Sequence, residues 1–204
     1  MKKNRWLGMV TVGLLMAASV TGCAGRGAAP AATGTGTVQE QNNNWFAGLD
    51  TVDIEGNPVT KDLFAENDLT LINVWATFCG PCIREMPELE ELHQEYRQQE
   101  YEGKKVGIIG LLVDSSTADI VAGLSDEERK LAKEIIEQTG VTYPQILVSD
   151  ALAQTEFKRI AQFPTTYLVD KDGAFVGEAI AGARTREEWK QVIEEYLQKV
   201  QVRE

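Results

Sequence analysis

The stretch Leu71-Ile72-Asn73-Val74-Trp75-Ala76-Thr77-Phe78-Cys79-Gly80-Pro81-Cys82-Ile83-Arg84-Glu85-Met86-Pro87-Glu88-Leu89 holds two of the chain's three cysteines. Its first part, with Thr70 and up to Ala76, is β-rich and nearly all apolar, as suits a strand buried on both faces of a sheet. After Cys82 the apolar residues fall at Ile83, Met86, Leu89, Leu92 and Tyr96. That spacing makes one helical stripe. Glu85, Glu88, Glu91 and Glu95 are assigned to the other faces of this helix. Pro87 sits early in it, where a proline is able to bend the axis. A buried strand therefore runs into a helix through a short loop, and the cysteine pair stands at the junction.

The pattern continues outward. Lys105 to Asp114 reads as a second buried strand. Ser125-Asp126-Glu127-Glu128 is a capping box, and its acids are assigned to capping; the helix it opens ends near Gly140. Gln145 to Val148 reads as a short strand and Ala151 to Ile160 as a further helix. Thr165 to Val169 is a strand, Asp172-Gly173 a hairpin signal, and Ala174 to Ile180 its partner. A last helix opens with the capping box Thr185 to Glu188 and carries the stripe Trp189, Val192, Ile193, Tyr196, Leu197 and Val200. Upstream, Leu49 to Ile54 reads as a short strand, with a turn at Glu55-Gly56-Asn57. Alternation of strand and helix followed by a hairpin implies an α/β fold, a mixed central sheet with helices on both faces.

The third cysteine bears on location. Met1-Lys2-Lys3-Asn4-Arg5 is basic, and the run from Trp6 to Val20 is apolar but short for a membrane span, which needs about 20 residues. A basic start, a short apolar stretch and small residues after it describe an export signal. Val20-Thr21-Gly22-Cys23 resembles the lipobox of bacterial lipoproteins. That resemblance implies cleavage after Gly22 and lipid on Cys23; the alternative is an ordinary signal peptide that leaves Cys23 a free thiol. Ala24 to Asn44 has almost no apolar bulk and reads as a flexible tether. The expected organisation is a signal peptide over 1–22, a tether over 23–44 and one domain over 45–202. The chain has 20 Lys and Arg against 31 Asp and Glu, a net charge of −11. Loss of Lys2, Lys3 and Arg5 with the leader makes the remainder more acidic still. Such a charge argues against nucleic acid as a partner.

The cysteine pair has three readings. A purely structural bridge between Cys79 and Cys82 closes almost no loop and so gains little from chain entropy. A zinc site needs three or four ligands. The mature chain offers only this pair and His93, which is assigned to the solvated side of its helix, and no metal site is expected. A redox pair fits the position. The first turn of a helix has unpartnered N–H groups and a dipole that stabilises a thiolate. Pro81 fits that turn because its missing N–H costs nothing there. Cys79 is then the exposed, attacking sulfur and Cys82 the more buried one that resolves the mixed disulfide.

Trp75-Ala76-Thr77-Phe78-Cys79-Gly80-Pro81-Cys82 resembles the active site of the thioredoxin superfamily. The longer stretch Leu71 to Leu89 is similar to its exported TlpA/ResA-like branch, and Phe163-Pro164-Thr165-Thr166-Tyr167-Leu168-Val169-Asp170 to that family's second signature. The resemblance implies a thioredoxin-like fold, with the segment Ser115 to Gln145 as an inserted helix and strand. It implies a cis peptide bond before Pro164, which faces the cysteines. Trp75, Gly80, Pro81, Phe163, Pro164 and Thr165 then form the loop region that meets substrate. No cofactor is implied. The activity implied is thiol–disulfide exchange with exported client proteins, in the reducing direction, with electrons from a membrane donor. Asn73 stands where thioredoxin has a buried aspartate, and an amide cannot act as a general base. Gly80-Pro81 lacks the acid that some relatives carry between their cysteines. Two other classes compete. A peroxiredoxin-type peroxidase needs a proline and a threonine at fixed spacing before its cysteine, where this chain has Ala76 and Ile72. A metal carrier on the same fold needs a suitably placed histidine, and His93 lies in the wrong helix.

Overall fold

The computed structural model describes residues 44–113, 124–155, 157 and 160–201, all within the unit Glu40–Glu204. The expected signal peptide, Cys23, the tether up to residue 43 and the first part of the expected insert lie outside the described residues.

A 3-10 turn at Trp45–Gly48 leads to β1 (Asp50–Val52), which pairs antiparallel with β2 (Pro58–Thr60). A second 3-10 turn, Lys61–Phe64, precedes β3 (Leu69–Trp75) and α1 (Gly80–Gln98). Then come β4 (Val106–Leu112), α2 (Asp126–Thr139), β5 (Gln145–Leu147), α3 (Asp150–Ala153), β6 (Thr165–Val169), β7 (Ile180–Ala181) and α4 (Arg186–Gln201). The central sheet has the order β5-β4-β3-β6-β7. β3, β4 and β5 are parallel, while β6 runs antiparallel to both β3 and β7. The expected mixed sheet is borne out. The hairpin β1–β2 docks on its far edge, where Thr51 Oγ1 donates to Leu147 O at 2.6 Å.

Both faces are covered, unequally. Successive parallel crossovers that step the same way across a sheet stay on one face. Accordingly α1 and α2 share a face, and α4 joins them, their apolar stripes packing with Leu69, Leu71, Trp75, Ile108 and Leu112. The opposite face presents Ile72, Val74, Ile109 and Leu111 to the two 3-10 turns, α3 and Phe157. Both capping boxes form: Ser125 with Glu128, and Thr185 with Glu188. Gly140 ends α2 with φ of 70°. α1 runs through Pro87 without interruption. Beyond its end the chain reverses at Tyr101–Lys104, whose backbones exchange hydrogen bonds of 2.9 Å.

Two expected elements are shorter than the pattern implied. The helix expected over Ala151 to Ile160 spans only Asp150–Ala153. Thr155 ends it: its hydroxyl donates to Leu152 O at 2.7 Å and accepts from Phe157 N–H at 3.2 Å, a local alternative to helical bonding. The strand expected over Ala174 to Ile180 reduces to a bridge at Phe175 and the two residues of β7. The Asp170 carboxylate takes the N–H groups of Asp172 and Ala174, which makes the turn. Gly177 then leaves the strand conformation at φ +80°, and a Cβ there would lie 2.8 Å from the Tyr196 ring.

Candidate active site

β3 delivers the site. Its last residue, Trp75, accepts Val113 N–H on its carbonyl at 2.8 Å. Ala76, Thr77 and Phe78 then lead to Cys79, which caps α1: its Sγ accepts the Cys82 N–H at 3.2 Å. Gly80 and Pro81 open the helix. Cys79 and Cys82 are joined, with S–S 2.01 Å and Cα–Cα 5.3 Å. Cys79 is 6% exposed and Cys82 fully buried. The ranking of the two sulfurs is as expected, although the first is also largely covered in this bridged state.

The Phe163–Pro164 peptide bond is cis. β6 starts directly after it, with Thr165 opposite Val74, so Pro164 lies at the level where β3 gives way to the cysteine loop. The Phe163 ring meets Phe78 edge-on, with centroids 6.3 Å apart. Phe78 is 63% exposed. The fold therefore brings Trp75, Gly80, Pro81, Phe163, Pro164 and Thr165 to one end of the sheet. That end is the C-terminal edge of the parallel strands, where open α/β sheets hold their ligands.

Beneath the pair lies a polar group that sequence reasoning misplaced. Glu85 is 2% exposed, not on a solvated face of α1. Its Oε1 accepts Arg184 N–H at 2.7 Å and the Trp189 indole N–H at 2.7 Å. Its Oε2 accepts from Asn73 Nδ2 at 2.9 Å, and Asn73 also donates to Thr166 Oγ1 at 3.2 Å. Burial raises the Glu85 pKa, and the hydrogen bonds from Arg184, Trp189 and Asn73 offset this only in part. At i+3 from Cys82, Glu85 lies one helical turn on, beside it. The helical period carried this signal: Cys82, Met86 and Leu89 define the buried stripe, and Glu85 adjoins it.

His93 is a second correction. It is 9% exposed, because Leu92 and Tyr96 turn its side of the helix inward, and its ring meets Tyr143 with centroids 5.9 Å apart. Burial lowers its pKa, with Glu90 opposing and Arg97 reinforcing the effect. Among the described residues no group of three or more His, Cys, Asp or Glu is placed to hold a metal ion. A recess of about 270 Å³ opens beside Pro81, lined by Arg84, Glu85, Glu88, Arg184 and Glu188. A larger hollow at Thr51, Arg129 and Ser149 touches none of the cysteine loop; the smaller recess adjoins that loop through Pro81.

Residues 46–176 match the AhpC/TSA family. The chain belongs to that family. It is 32% identical over 149 residues to thiol-disulfide oxidoreductase ResA of Bacillus anthracis, a match covering 72% of each chain. With ResA of Halalkalibacterium halodurans it shares 27% identity over 147 residues, 72% of this chain and 69% of that one. Among solved structures, StoA from Bacillus subtilis superposes with a TM-score of 0.52 at 19% identity, covering 70% of this chain and 93% of that one. A thioredoxin-family thiol:disulfide interchange protein from Chlorobium tepidum gives 0.55 at 18% identity, covering 73% and 92%. At such identities the solved structures speak for the fold. The expected thioredoxin-like fold is borne out, and this family member is a thiol-disulfide oxidoreductase of the ResA type.

Proposed function

We propose that the protein works outside the cytoplasm, held to a membrane by lipid on Cys23, and reduces disulfides in exported proteins with electrons from a membrane donor. The exchange chemistry rests on one observation above others: the Cys79–Cys82 pair at the start of α1, with Cys82 N–H directed at Cys79 Sγ. In the reduced protein that N–H and the helix dipole stabilise a thiolate on Cys79. The thiolate attacks a client disulfide, and one client sulfur leaves with the electron pair of the broken bond. Cys82 then attacks Cys79 Sγ and expels the second client sulfur, leaving the bridge. Two electrons pass to the client, and both client sulfurs take up protons. Glu85 is the group we assign to take the Cys82 proton. A buried carboxyl whose pKa burial raises suits that task, and Asn73, an amide, does not. The basic leader and Val20-Thr21-Gly22-Cys23 support the location. No helix among the described residues is long and apolar enough to cross a membrane.

The reduction potential of the Cys79–Cys82 couple tests the direction. A value near about −270 mV is expected for a reductant, and one near about −120 mV would make the protein an oxidant. Mass analysis of the mature chain tests the anchor: a form without added lipid at Cys23 would remove it. Consumption of hydrogen peroxide at a rate matching disulfide turnover would favour the peroxidase reading.

A further inference from the structure

One cross-strand row of the sheet, on the face beneath α1, is not apolar. Gln145 pairs with Gly110, Gly110 with Asn73, and Asn73 with Thr166. Asn73 and Thr166 serve Glu85. Gln145, at the other end of the row, serves a different group. Its Oε1 accepts the Trp75 indole N–H at 2.9 Å, and its Nε2 donates to Tyr143 O at 3.4 Å. The side chain reaches Trp75 by lying across Gly110, where a Cβ would come within 2.6 Å of its Cδ. Its own backbone is fixed as well: Ile54 N–H donates to Gln145 O at 3.0 Å, and Gly110 N–H donates to Pro144 O at 2.9 Å. Gln145 and Trp75 are both buried.

We propose that Gln145 is a positioning residue for thiol–disulfide exchange, acting through the Trp75 indole to hold the loop that presents Cys79. Trp75 is the last residue of β3, and three residues separate it from Cys79. Its carbonyl is tied to Val113, and its indole is tied to Gln145. These two ties fix both the backbone and the ring from which the loop departs. A buried indole N–H needs an acceptor, and among the described residues Gln145 Oε1 is the one it meets. Without it the ring has reason to turn toward another acceptor, and the loop start moves with it. Small displacements of a reacting group cost rate steeply, by about a hundredfold for 1 Å. Gly110 belongs to the same device, since a side chain there would push the carboxamide away.

The inference rests on Cys79 being the attacking sulfur, and the experiment separates the two. Full-length Gln145→Leu, Gln145→Glu and Cys79→Ser proteins are assayed for insulin disulfide reduction with dithiothreitol as donor. Gln145→Leu is expected to lower kcat by about tenfold with KM unchanged. Gln145→Glu keeps the acceptor and, when protonated, the donor toward Tyr143 O; it should restore kcat to within about threefold of the parent at mildly acid pH. A Gln145→Leu kcat within about threefold of the parent, or a loss that Gln145→Glu does not restore, overturns the proposal. Where Gln145→Leu fails to fold, the parent protein supplies the answer. The Trp75 indole N–H, assigned with Trp75→Phe, should stay protected from solvent exchange in both the bridged and the reduced states, as a proton held by Gln145 Oε1 would, and loss of that protection in either state overturns the proposal. Retained turnover in Cys79→Ser would instead strike at the assignment of the attacking sulfur.

Discussion

The two faces of the central sheet are built differently from alternate residues of the same strands. On one face Trp45, Phe46, Tyr167 and Phe175 meet in edge-on and tilted pairs with centroids 5.2 to 6.0 Å apart. That face buries aromatic and aliphatic surface. On the other, the row Gln145–Gly110–Asn73–Thr166 carries buried polar side chains, and Glu85 and the Trp189 indole come down onto it from the helices. Burying such groups costs free energy unless they are hydrogen-bonded; here most of their bonds run to one another, and Asn73 Oδ1 is left without a partner among the described residues. The contrast teaches that a strand alternating every second residue is able to divide its labour: one set of side chains stabilises, the other supports the sulfurs.

The sharpest break between the faces is at the sulfur itself. Cys79→Ser should lower insulin reduction by on the order of a thousandfold or more while the secondary structure seen by circular dichroism persists. Phe46→Ala tests the other face. It should cost about 3–5 kcal/mol in urea unfolding, with kcat/KM per folded molecule unchanged; a matching loss of activity would erase the distinction between the faces.

Glu85→Gln sharpens the comparison through pH. Burial raises the Glu85 pKa, so the folded chain holds this proton more tightly than the unfolded one. The stabilisation that follows is complete below the ordinary glutamate pKa and fades as pH rises through the raised value. The thermal midpoint of the parent should therefore fall relative to Glu85→Gln over that rise. Turnover of the variant should drop by about a hundredfold, the scale of a lost proton acceptor. The smallest effect is expected at His93, whose pKa is lowered by burial. Its contribution is present above about pH 6.5 and is lost as pH falls below that value. His93→Gln should flatten that acid-side slope and leave disulfide turnover as it was.

Much of this was legible in the chain before folding. The apolar run to Trp75, the stripe from Met86 to Tyr96, the two capping boxes and Gly140 each state a local preference that the fold keeps. The cysteine pair and the Phe163–Pro164 signature stand where their resemblance implies. Glu85 and His93 were misread because their polar character outweighed their position. Both adjoin the apolar stripe, and three donors met across the fold make burial of Glu85 tolerable. Those donors lie 12 to 104 residues away, which helical period alone does not reveal. The Gln145–Trp75 bond spans 70 residues and depends on β4 carrying glycine between them. The short α3 and β7 were lost to Thr155 and Asp170, side chains that bind their own neighbourhood more readily than a repeating ladder.

The reversal at Tyr101–Lys104 sits where β4 begins, at the pole of the sheet away from the sulfurs. Glu102 and Gly103 there already hold positive φ, the geometry of a tight bend on the outside of a molecule. A fluorophore, bead or electrode linker coupled at that bend would leave the exchanging edge pointing into solution. The topology thus offers ready polarity to anyone wishing to mount this catalyst on a surface and read its electron traffic.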